Sequence, residues 1–312
     1  MPLPLRLDRR LRLPVVVAPM FLVSGPELVI AACRAGVLGT FPALNQRTSE
    51  GFRTWLAQIA EALAPHPDAA PFGVNLIVHR SNRRLEADVA ACVAHRVPVV
   101  ITSLGAVPDL VREVHAYGGL VFHDVTTRRH AEKAAEAGVD GLILVCAGAG
   151  GHAGTLNPFA FVAEVRKLFS GTLLLAGAIS TGRDILAARA MGADLAYMGT
   201  RFIATRESLA ADAYKRLLVE AGAGDIVYTA AVSGIPGNFL RSSLEAAGID
   251  PSAPPHASAI ATELADASAR AWRDIWSAGQ GVAAIDDIPT VAELVERLER
   301  QYRQAEAILC QR

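Results

Sequence analysis

The feature that most constrains the fold is an alternation of short apolar runs with longer amphipathic ones over residues 15–200. The apolar runs are almost uninterrupted, which is typical of strands in a parallel sheet that is covered on both faces. The segments between them have helical apolar spacing and often end at Gly. Eight strands are predicted, at Val15–Met20, Leu38–Leu44, Phe72–Val78, Val97–Leu104, Leu120–Val125, Gly141–Ala147, Leu173–Ala178 and Leu195–Thr200.

Seven helices are predicted among these strands, at Gly25–Ala35, Ser49–Ala64, Asn82–Ala94, Ala106–Tyr117, Thr127–Ala137, Pro158–Phe169 and Thr181–Met191. Repeated strand–helix units over about 200 residues predict an α/β fold, the (β/α)8 TIM barrel. An open doubly wound sheet is the alternative, but its Gly-rich fingerprint follows the first strand. Here the first strand runs into Ala18-Pro19-Met20-Phe21, and the glycine clusters follow strands six, seven and eight.

The alternation stops after Arg206. We expect residues 207–272 to form a small, mostly helical lid domain inserted after strand eight, with residues 1–206 and 273–312 forming the barrel. Thr290–Cys310 is predicted to be a long closing helix. The insertion is predicted to contain helices at Ala210–Ala221, Leu240–Ala247 and Ala257–Ser277 and an extended piece at Ile226–Val232.

Composition narrows the classes of partner. The formal net charge of −1 gives no reason to expect nucleic acid or an anionic membrane surface. No apolar run reaches the ~18 residues of a membrane-spanning helix, and the first residues alternate Leu with Arg unlike a signal peptide. The four cysteines are widely spaced and form no CxxC pair, which argues against a zinc site or a disulfide framework. We therefore expect a cytoplasmic protein with no metal site.

In a parallel barrel, the site forms at the carboxyl ends of the strands. The side chains expected there include Met20, Asn75 and Asp124, and the loop Cys146–Gly154, which reads CAGAGGHAG. Its one titratable side chain is His152, and histidine is suited to proton transfer at neutral pH. The alternative is an ordinary strand-to-helix turn with a solvated histidine.

Two further Gly-containing strand ends predict a phosphate site. Gly177-Ala178 and Gly199-Thr200 follow strands seven and eight, where barrels commonly bind phosphate on backbone N–H groups. Tight turns with packing glycines are the alternative. No predicted strand end carries the lysine that pyridoxal phosphate needs for its Schiff base. A phosphate-bearing flavin fits an apolar, Gly-lined mouth of this kind.

Six motifs carry a family resemblance. APMF, FGVNL, AGGHAG, AGAIS, YMGTRFIATRES and WSAGQG occur in order over nearly the whole chain. Together they resemble the nitronate monooxygenase family, formerly called 2-nitropropane dioxygenases. Relatives with the same fold include FMN-dependent NADH:quinone reductases and flavin enoyl-acyl-carrier-protein reductases. The resemblance implies an FMN-containing barrel with a small lid domain over the active site.

The resemblance also implies roles for particular residues. His152 matches the family's catalytic histidine, which acts as a base or as a hydrogen-bond donor near the flavin. Gly150 and Gly151 match contacts to the flavin, and Asn75 matches a residue near the ring. The residues that match contacts to the phosphate are Gly177, Ala178, Gly199 and Thr200. Met20 and Asp124 are also expected at the cofactor.

Two positions depart from the family pattern. Ala178 stands where the family often has a second Gly, and Asp124 follows strand five where several relatives have Lys or Gln. A carboxylate near the ring would disfavour the reduced, anionic flavin.

The function predicted from these observations is oxidation of alkyl nitronates with O₂ by an FMN-dependent nitronate monooxygenase. The alternative is a flavin reductase that uses NAD(P)H to reduce a quinone or an enoyl thioester. A third reading is a barrel that binds a sugar phosphate or nucleotide without redox chemistry. All three take a small-molecule substrate, and the sequence leaves the oligomeric state open, with a homodimer as the common case for barrels of this size.

Overall fold

The computed structural model describes residues 7, 10–105, 108–232, 234–253 and 275–310. Parallel strands close into a barrel in which each strand pairs with the next along the chain and the last pairs with the first. The (β/α)8 prediction is therefore confirmed. The barrel strands are β1 Val15–Val17, β2 Leu38–Pro42, β3 Phe72–Ile77, β4 Val99–Ser103, β5 Leu120–Val125, β6 Gly141–Val145, β8 Thr172–Ala176 and β9 Leu195–Met198, and the short strand β7, Gly151–His152, lies outside the barrel.

The predicted helices are present, with ends shifted by a few residues. They are α1 Pro26–Ala35, α2 Ser49–Leu63, α3 Leu85–Ala94, α4 Pro108–Ala116, α5 Arg128–Glu136, α6 Pro158–Arg166 and α7 Gly182–Ala190, followed after β9 by the single turn α8, Thr200–Ile203.

Seven of the eight barrel strands end earlier than predicted, and the exception is β5, which ends at Val125 as predicted. The first was predicted to reach Met20 but ends at Val17, and the eighth was predicted to reach Thr200 but ends at Met198. These carboxyl ends leave the hydrogen-bonded ladder to form the loops of the barrel mouth, where Thr200 begins α8. The pattern of apolar residues does not show where the ladder ends, because these loop residues are still partly buried.

Side chains that point inward fill the barrel below the mouth. Large aliphatic and aromatic residues from successive strands form one cluster there, including Val16, Leu38, Ile101, Phe122, Ile143, Leu174 and Leu195. A larger cluster lies between the outer faces of the strands and the helices. Apolar packing therefore closes the barrel below the mouth, and the mouth is the end at which barrels of this type bind ligands.

After the barrel the chain forms helix α9, Asp212–Glu220, strands β10, Ile226–Thr229, and β11, Gly237–Leu240, and helix α10, Arg241–Ala246. β10 and β11 make an antiparallel hairpin, and β11 pairs with β7. The sequence pattern predicted the first of these strands and missed the second, which starts with Gly237-Asn238. The domain boundary at 207–272 remains a prediction, since residues 254–274, with most of the predicted helix Ala257–Ser277, lie outside the described ranges.

The predicted closing helix is confirmed as α11, Val291–Cys310. Thr290 and Glu293 cap it reciprocally, since each side chain accepts the other residue's backbone N–H. Gln301 on this helix accepts the Gly182 N–H at the start of α7, over 2.9 Å. Within the described ranges, no helix has the length and apolarity required to cross a membrane.

Candidate active site

The Gly-rich loop after β6 is held at both ends by the barrel. The Cys146 N–H donates to Ala176 O on the neighbouring strand, over 2.9 Å. The Gly154 N–H returns to Val145 O at the end of β6, over 3.2 Å. The loop therefore leaves and re-enters the barrel at the end of one strand and carries His152 over the mouth.

The hairpin after the barrel fixes the shape of this loop. Gly151 and His152 form β7, which pairs with Asn238 and Gly237 of β11. The Asn238 amide also donates to Ala149 O over 2.7 Å. From β10, the Tyr228 hydroxyl donates to Ala153 O over 3.1 Å. Side-chain contacts on both sides of His152 thus reinforce the strand pairing.

His152 is a neutral imidazole at physiological pH. The side chain is half-buried, and burial lowers the pKa of His152 from 6.5 to about 4, because a protonated ring would lose its hydration. A neutral imidazole offers one N–H donor and one nitrogen acceptor. It can therefore donate a hydrogen bond to an anion, but it is a weak base.

The two glycines before His152 differ in what surrounds them. A Cβ on Gly150 would lie 2.9 Å from the Gly279 nitrogen and 3.2 Å from Thr200 Oγ1. Gly151 has φ +68° and no atom within 4 Å of the position of a Cβ. Gly150 therefore packs against the returning chain, and Gly151 borders open space.

The strand ends after β8 and β9 lie against the segment 278–281. The Gln280 N–H and the Ala178 N–H both donate to Gly148 O, over 2.9 and 3.3 Å. Thr200 Oγ1 accepts the Gly279 N–H over 2.9 Å, which leaves its own O–H able to donate. Three separate parts of the chain therefore meet at the predicted phosphate site.

Backbone geometry at the first of these strand ends is unusual. Gly177 has φ +146°, and a Cβ there would lie 2.8 Å from Ala147 O. Ala178 has φ +55°, a left-handed conformation that costs an L-residue roughly 1–2 kcal/mol. Glycine would adopt this conformation without that cost.

Ser180, which the sequence prediction did not select, lies next to the predicted phosphate site. Its side chain is 3% exposed, and its Oγ has no hydrogen-bond partner within the described chain. Gly281 comes so close that a Cβ there would lie 2.6 Å from this Oγ. Buried hydroxyls in proteins are almost always hydrogen-bonded, so the Ser180 hydroxyl is able to donate to a group from outside the described chain. The AGAIS motif contains Ser180, but the sequence alone does not show that it is buried.

The neighbouring helix N-terminus is already capped by the chain itself. The Ser180 and Thr181 N–H groups donate to the Asp184 carboxylate over 2.9 and 2.8 Å. A phosphate here would therefore bind the Ser180 and Thr200 hydroxyls and the chain at Gly199, and not the first amides of α7. Next to Gly199 lies Met20, whose sulfur would be 3.6 Å from a Cβ at that glycine.

A directed chain of hydrogen bonds links three adjacent strands, β3, β4 and β5. The Asn75 amide donates to Ser103 Oγ over 2.7 Å, and the Ser103 hydroxyl donates to Asp124 Oδ2 over 2.5 Å. Asn75 and Asp124 were predicted at the site, whereas Ser103, which links them, was not. Ser103 is the last residue of β4, and the inward-facing register of β4 with β3 and β5 would have identified it.

Asp124 is a half-buried residue whose carboxyl group has no cationic partner among the described residues. Burial raises its pKa to about 6, and the Ser103 hydrogen bond opposes that rise. Its Oδ1 is buried and has no partner in the described chain. Across the barrel, burial and the Asp124 charge raise the pKa of Tyr197 well above its usual value. His123 faces the helix layer instead, where its Nδ1 lies 2.7 Å from the Thr102 hydroxyl.

The donor set at the mouth fits a phosphate-bearing ring and not a metal. The described residues contain no group of three or more His, Cys, Asp or Glu side chains placed to bind one metal ion. They present unpaired polar atoms at Ser180 and Asp124 and glycine surfaces at Gly151 and Gly199. A flat ring with a phosphate tail would contact both kinds of surface.

Comparison with known proteins identifies the family. The family model for nitronate monooxygenase matches residues 9–301. The chain belongs to the nitronate monooxygenase family. It is therefore an oxidoreductase, as the sequence motifs predicted.

Individual relatives cover most of the chain. A nitronate monooxygenase from Paraburkholderia phytofirmans is 28% identical, over 94% of this chain and 93% of that protein. A 5-hydroxy-7a-methyl-1-oxo-octahydro-1H-indene-4-carboxyl-CoA dehydrogenase from Mycobacterium tuberculosis is 32% identical, over 74% of this chain and 64% of that protein.

Among solved structures, a nitroalkane oxidase from Streptomyces ansochromogenes is similar with a TM-score of 0.82 and 27% identity, over 97% of this chain and 99% of that one. FabK from Thermotoga maritima has a TM-score of 0.80 and 26% identity, over 96% of each chain. Both similarities extend over nearly the whole length, including the segments after β9.

Proposed function

We propose that this protein is an FMN-dependent nitronate monooxygenase, which oxidises alkyl nitronates with O₂. The observation that carries the proposal is the neutral His152 that the hairpin holds over the barrel mouth. Membership of the nitronate monooxygenase family supports the reaction class. The residues 207–272 are proposed to form the lid and substrate domain, of which this hairpin is part.

FMN is the proposed cofactor. The hydroxyls of Ser180 and Thr200 and the backbone at Gly177 and Gly199 would hold its phosphate, whereas the Ala178 N–H is already donated to Gly148 O. Gly281 packs closely beside Ser180. Bound FMN would supply the electron acceptor for the substrate and the means of passing electrons to dioxygen. Asn75, Ser103 and Asp124 would supply polar groups to the ring from the barrel mouth.

The proposed role of His152 is to orient the substrate. A base whose conjugate acid has a pKa of about 4 removes protons from carbon acids slowly at neutral pH. The same neutral ring can donate an N–H to a nitronate oxygen, and a hydrogen bond to a charged group contributes about 1.5–3 kcal/mol. We therefore favour the preformed nitronate anion as substrate over the neutral nitroalkane.

This role is tested with His152→Ala and His152→Asn on propyl-2-nitronate and on neutral 2-nitropropane. An orienting hydrogen bond predicts a loss of about 10- to 150-fold on the nitronate in His152→Ala, with partial retention in His152→Asn, whose amide can still donate. The exposed His66 provides the control His66→Ala, which is expected to act as wild type.

A loss confined to the neutral nitroalkane would instead assign His152 as the base. An FMN-loaded His152→Ala protein that oxidises the nitronate at the wild-type rate would remove His152 from the reaction.

A second candidate function is a flavin enzyme that uses NAD(P)H or acts on a thioester. The 32% identity to a carboxyl-CoA dehydrogenase favours it. Under this alternative, NADH or NADPH would bleach the flavin absorbance without oxygen, and an enoyl-CoA would restore it. Neither compound changes the spectrum if the nitronate reaction is the function.

A further inference from the structure

The Asp124 carboxyl group lies where it would contact a bound flavin, and one of its two oxygens has no hydrogen-bond partner in the described chain. Ser103 occupies Oδ2 as a donor, and the Asn75 amide fixes the direction of that hydrogen bond by donating to Ser103 Oγ. Oδ1 is buried and has no partner in the described chain. When Asp124 is ionised, Oδ1 is buried without a hydrogen-bond donor, which costs desolvation free energy. When Asp124 is protonated, its O–H can donate to a ligand atom.

The groups around Asp124 do not fix its charge. Ser103 on β4 and Asn75 on β3 are neutral, and β6 presents the apolar Val145 beside the inner cluster. Tyr197 on β9 is the titratable neighbour, and it stays protonated because its pKa is raised. Burial raises the pKa of Asp124 and the Ser103 hydrogen bond lowers it, and no cation in the described chain contributes to the shift.

We propose that Asp124 is a proton-accepting group coupled to the cofactor, which binds one proton when the bound flavin is reduced. The inference rests on the proposed FMN site and extends it. A reduced flavin gains a negative charge, which a nearby lysine would offset with its fixed positive charge. Asp124 would instead bind a proton, which removes its own negative charge from beside the ring.

The coupling balances in protons and electrons. For every two electrons that a reductant such as dithionite or a nitronate delivers to the ring, one proton from solvent adds to an Asp124 carboxylate oxygen and forms an O–H bond. This proton is additional to any that the ring itself binds. Reduction at a pH where Asp124 is already protonated would take up no proton at this residue.

The first test needs no flavin. Carboxyl ¹³C NMR of the apoprotein labelled at aspartate should show a resonance that titrates near pH 6 and that is absent in Asp124→Asn. Ser103→Ala should move its midpoint to higher pH, since the Ser103 hydrogen bond lowers this pKa. The exposed Asp68 provides the control Asp68→Asn, which should leave the resonance in place. A resonance of Asp124 that titrates like an ordinary exposed aspartate would overturn the proposal.

The second test measures the reduction potential of bound FMN between pH 6 and 8, against a reference dye. For each unit rise in pH, the equilibrium constant for two-electron reduction should fall tenfold more in the wild type than in Asp124→Asn. This difference corresponds to about 30 mV of reduction potential per pH unit. Tyr197→Phe should keep the wild-type pH dependence, because the proton is not held on the phenol.

Equal pH dependence in the loaded wild type and Asp124→Asn would overturn the coupling and leave the FMN assignment intact. A chain that binds no FMN would contradict the proposed function, and the coupling with it. The two failures are therefore distinguishable before any turnover is measured.

Discussion

Replacing Ser180 with Ala is expected to change apoprotein stability and FMN affinity in opposite directions. The Ser180 Oγ is buried without a partner in the described chain, and Gly281 crowds it. A buried hydroxyl without a hydrogen bond costs about 1–3 kcal/mol of desolvation, and Ser180→Ala removes that group. We expect the apoprotein to be unchanged or up to about 1 kcal/mol more stable, since solvent recovers part of this cost.

The loaded protein should lose affinity. A hydroxyl that donates to a phosphate oxygen makes a hydrogen bond to a charged group, which contributes about 1.5–3 kcal/mol. At 1.4 kcal/mol per tenfold, FMN should bind Ser180→Ala about 10- to 150-fold more weakly. Urea unfolding of the apoprotein and quenching of FMN fluorescence measure the two effects separately.

A matched control is Ser208→Ala. The Ser208 hydroxyl is also buried, but it donates to Ile203 O over 2.7 Å. Its removal should lower the unfolding free energy by about 1 kcal/mol, the opposite sign from Ser180→Ala. If Ser180→Ala binds FMN within twofold of the wild type, the phosphate does not contact Ser180 and this part of the site is wrong.

Three further predictions follow from the same geometry. Ala178→Gly should raise the unfolding free energy by up to about 1 kcal/mol in urea, because glycine relieves the left-handed φ of +55°; an equal or lower midpoint would refute the strain. Gly281→Ala should weaken FMN binding and destabilise the fold by about 1–3 kcal/mol, since its Cβ would meet Ser180 Oγ at 2.6 Å, whereas Gly224→Ala, with no atom within 4 Å, should be neutral. The unfolding free energy should fall as pH drops from 6.5 to 4, because the pKa of His123 is lowered to about 4 and unfolded chains take up a proton there that the folded chain does not. In His123→Asn, this loss of unfolding free energy should be smaller by up to about 3 kcal/mol.

The sequence was sufficient for the barrel because each strand is a buried apolar run followed by a helix with recognisable ends. Thr127 and Thr181, for example, each cap the helix that follows, and their side chains accept backbone N–H groups. These are local signals, which a pattern of residue types carries directly.

The contacts that complete the site are not local. Ser103 becomes part of the site only through Asn75 and Asp124 on neighbouring strands. His152 is held by Gly237, which is 85 positions further along the chain, as the pairing of β7 with β11 requires. That strand begins with Gly-Asn, and neither residue has a high strand propensity, so the sequence pattern predicted helix and loop there and missed the hairpin.

The energies of these groups are also invisible in the sequence. An aspartate near the end of β5 predicts a carboxylate, and the structure adds that burial raises the pKa of Asp124 to about 6. Nothing in an Ala-containing motif predicts the positive φ of Ala178, which packs between Gly148 and Gly281.

The most direct test of the account is the visible spectrum of the FMN-loaded protein after anaerobic addition of propyl-2-nitronate, with NADH and NADPH added to separate samples. The account predicts that the nitronate alone changes the flavin absorbance, and that admission of O₂ restores it with consumption of the nitronate. A spectrum that responds to a nicotinamide and not to the nitronate would contradict the monooxygenase assignment. A protein that shows no flavin band after incubation with FMN would contradict the site itself.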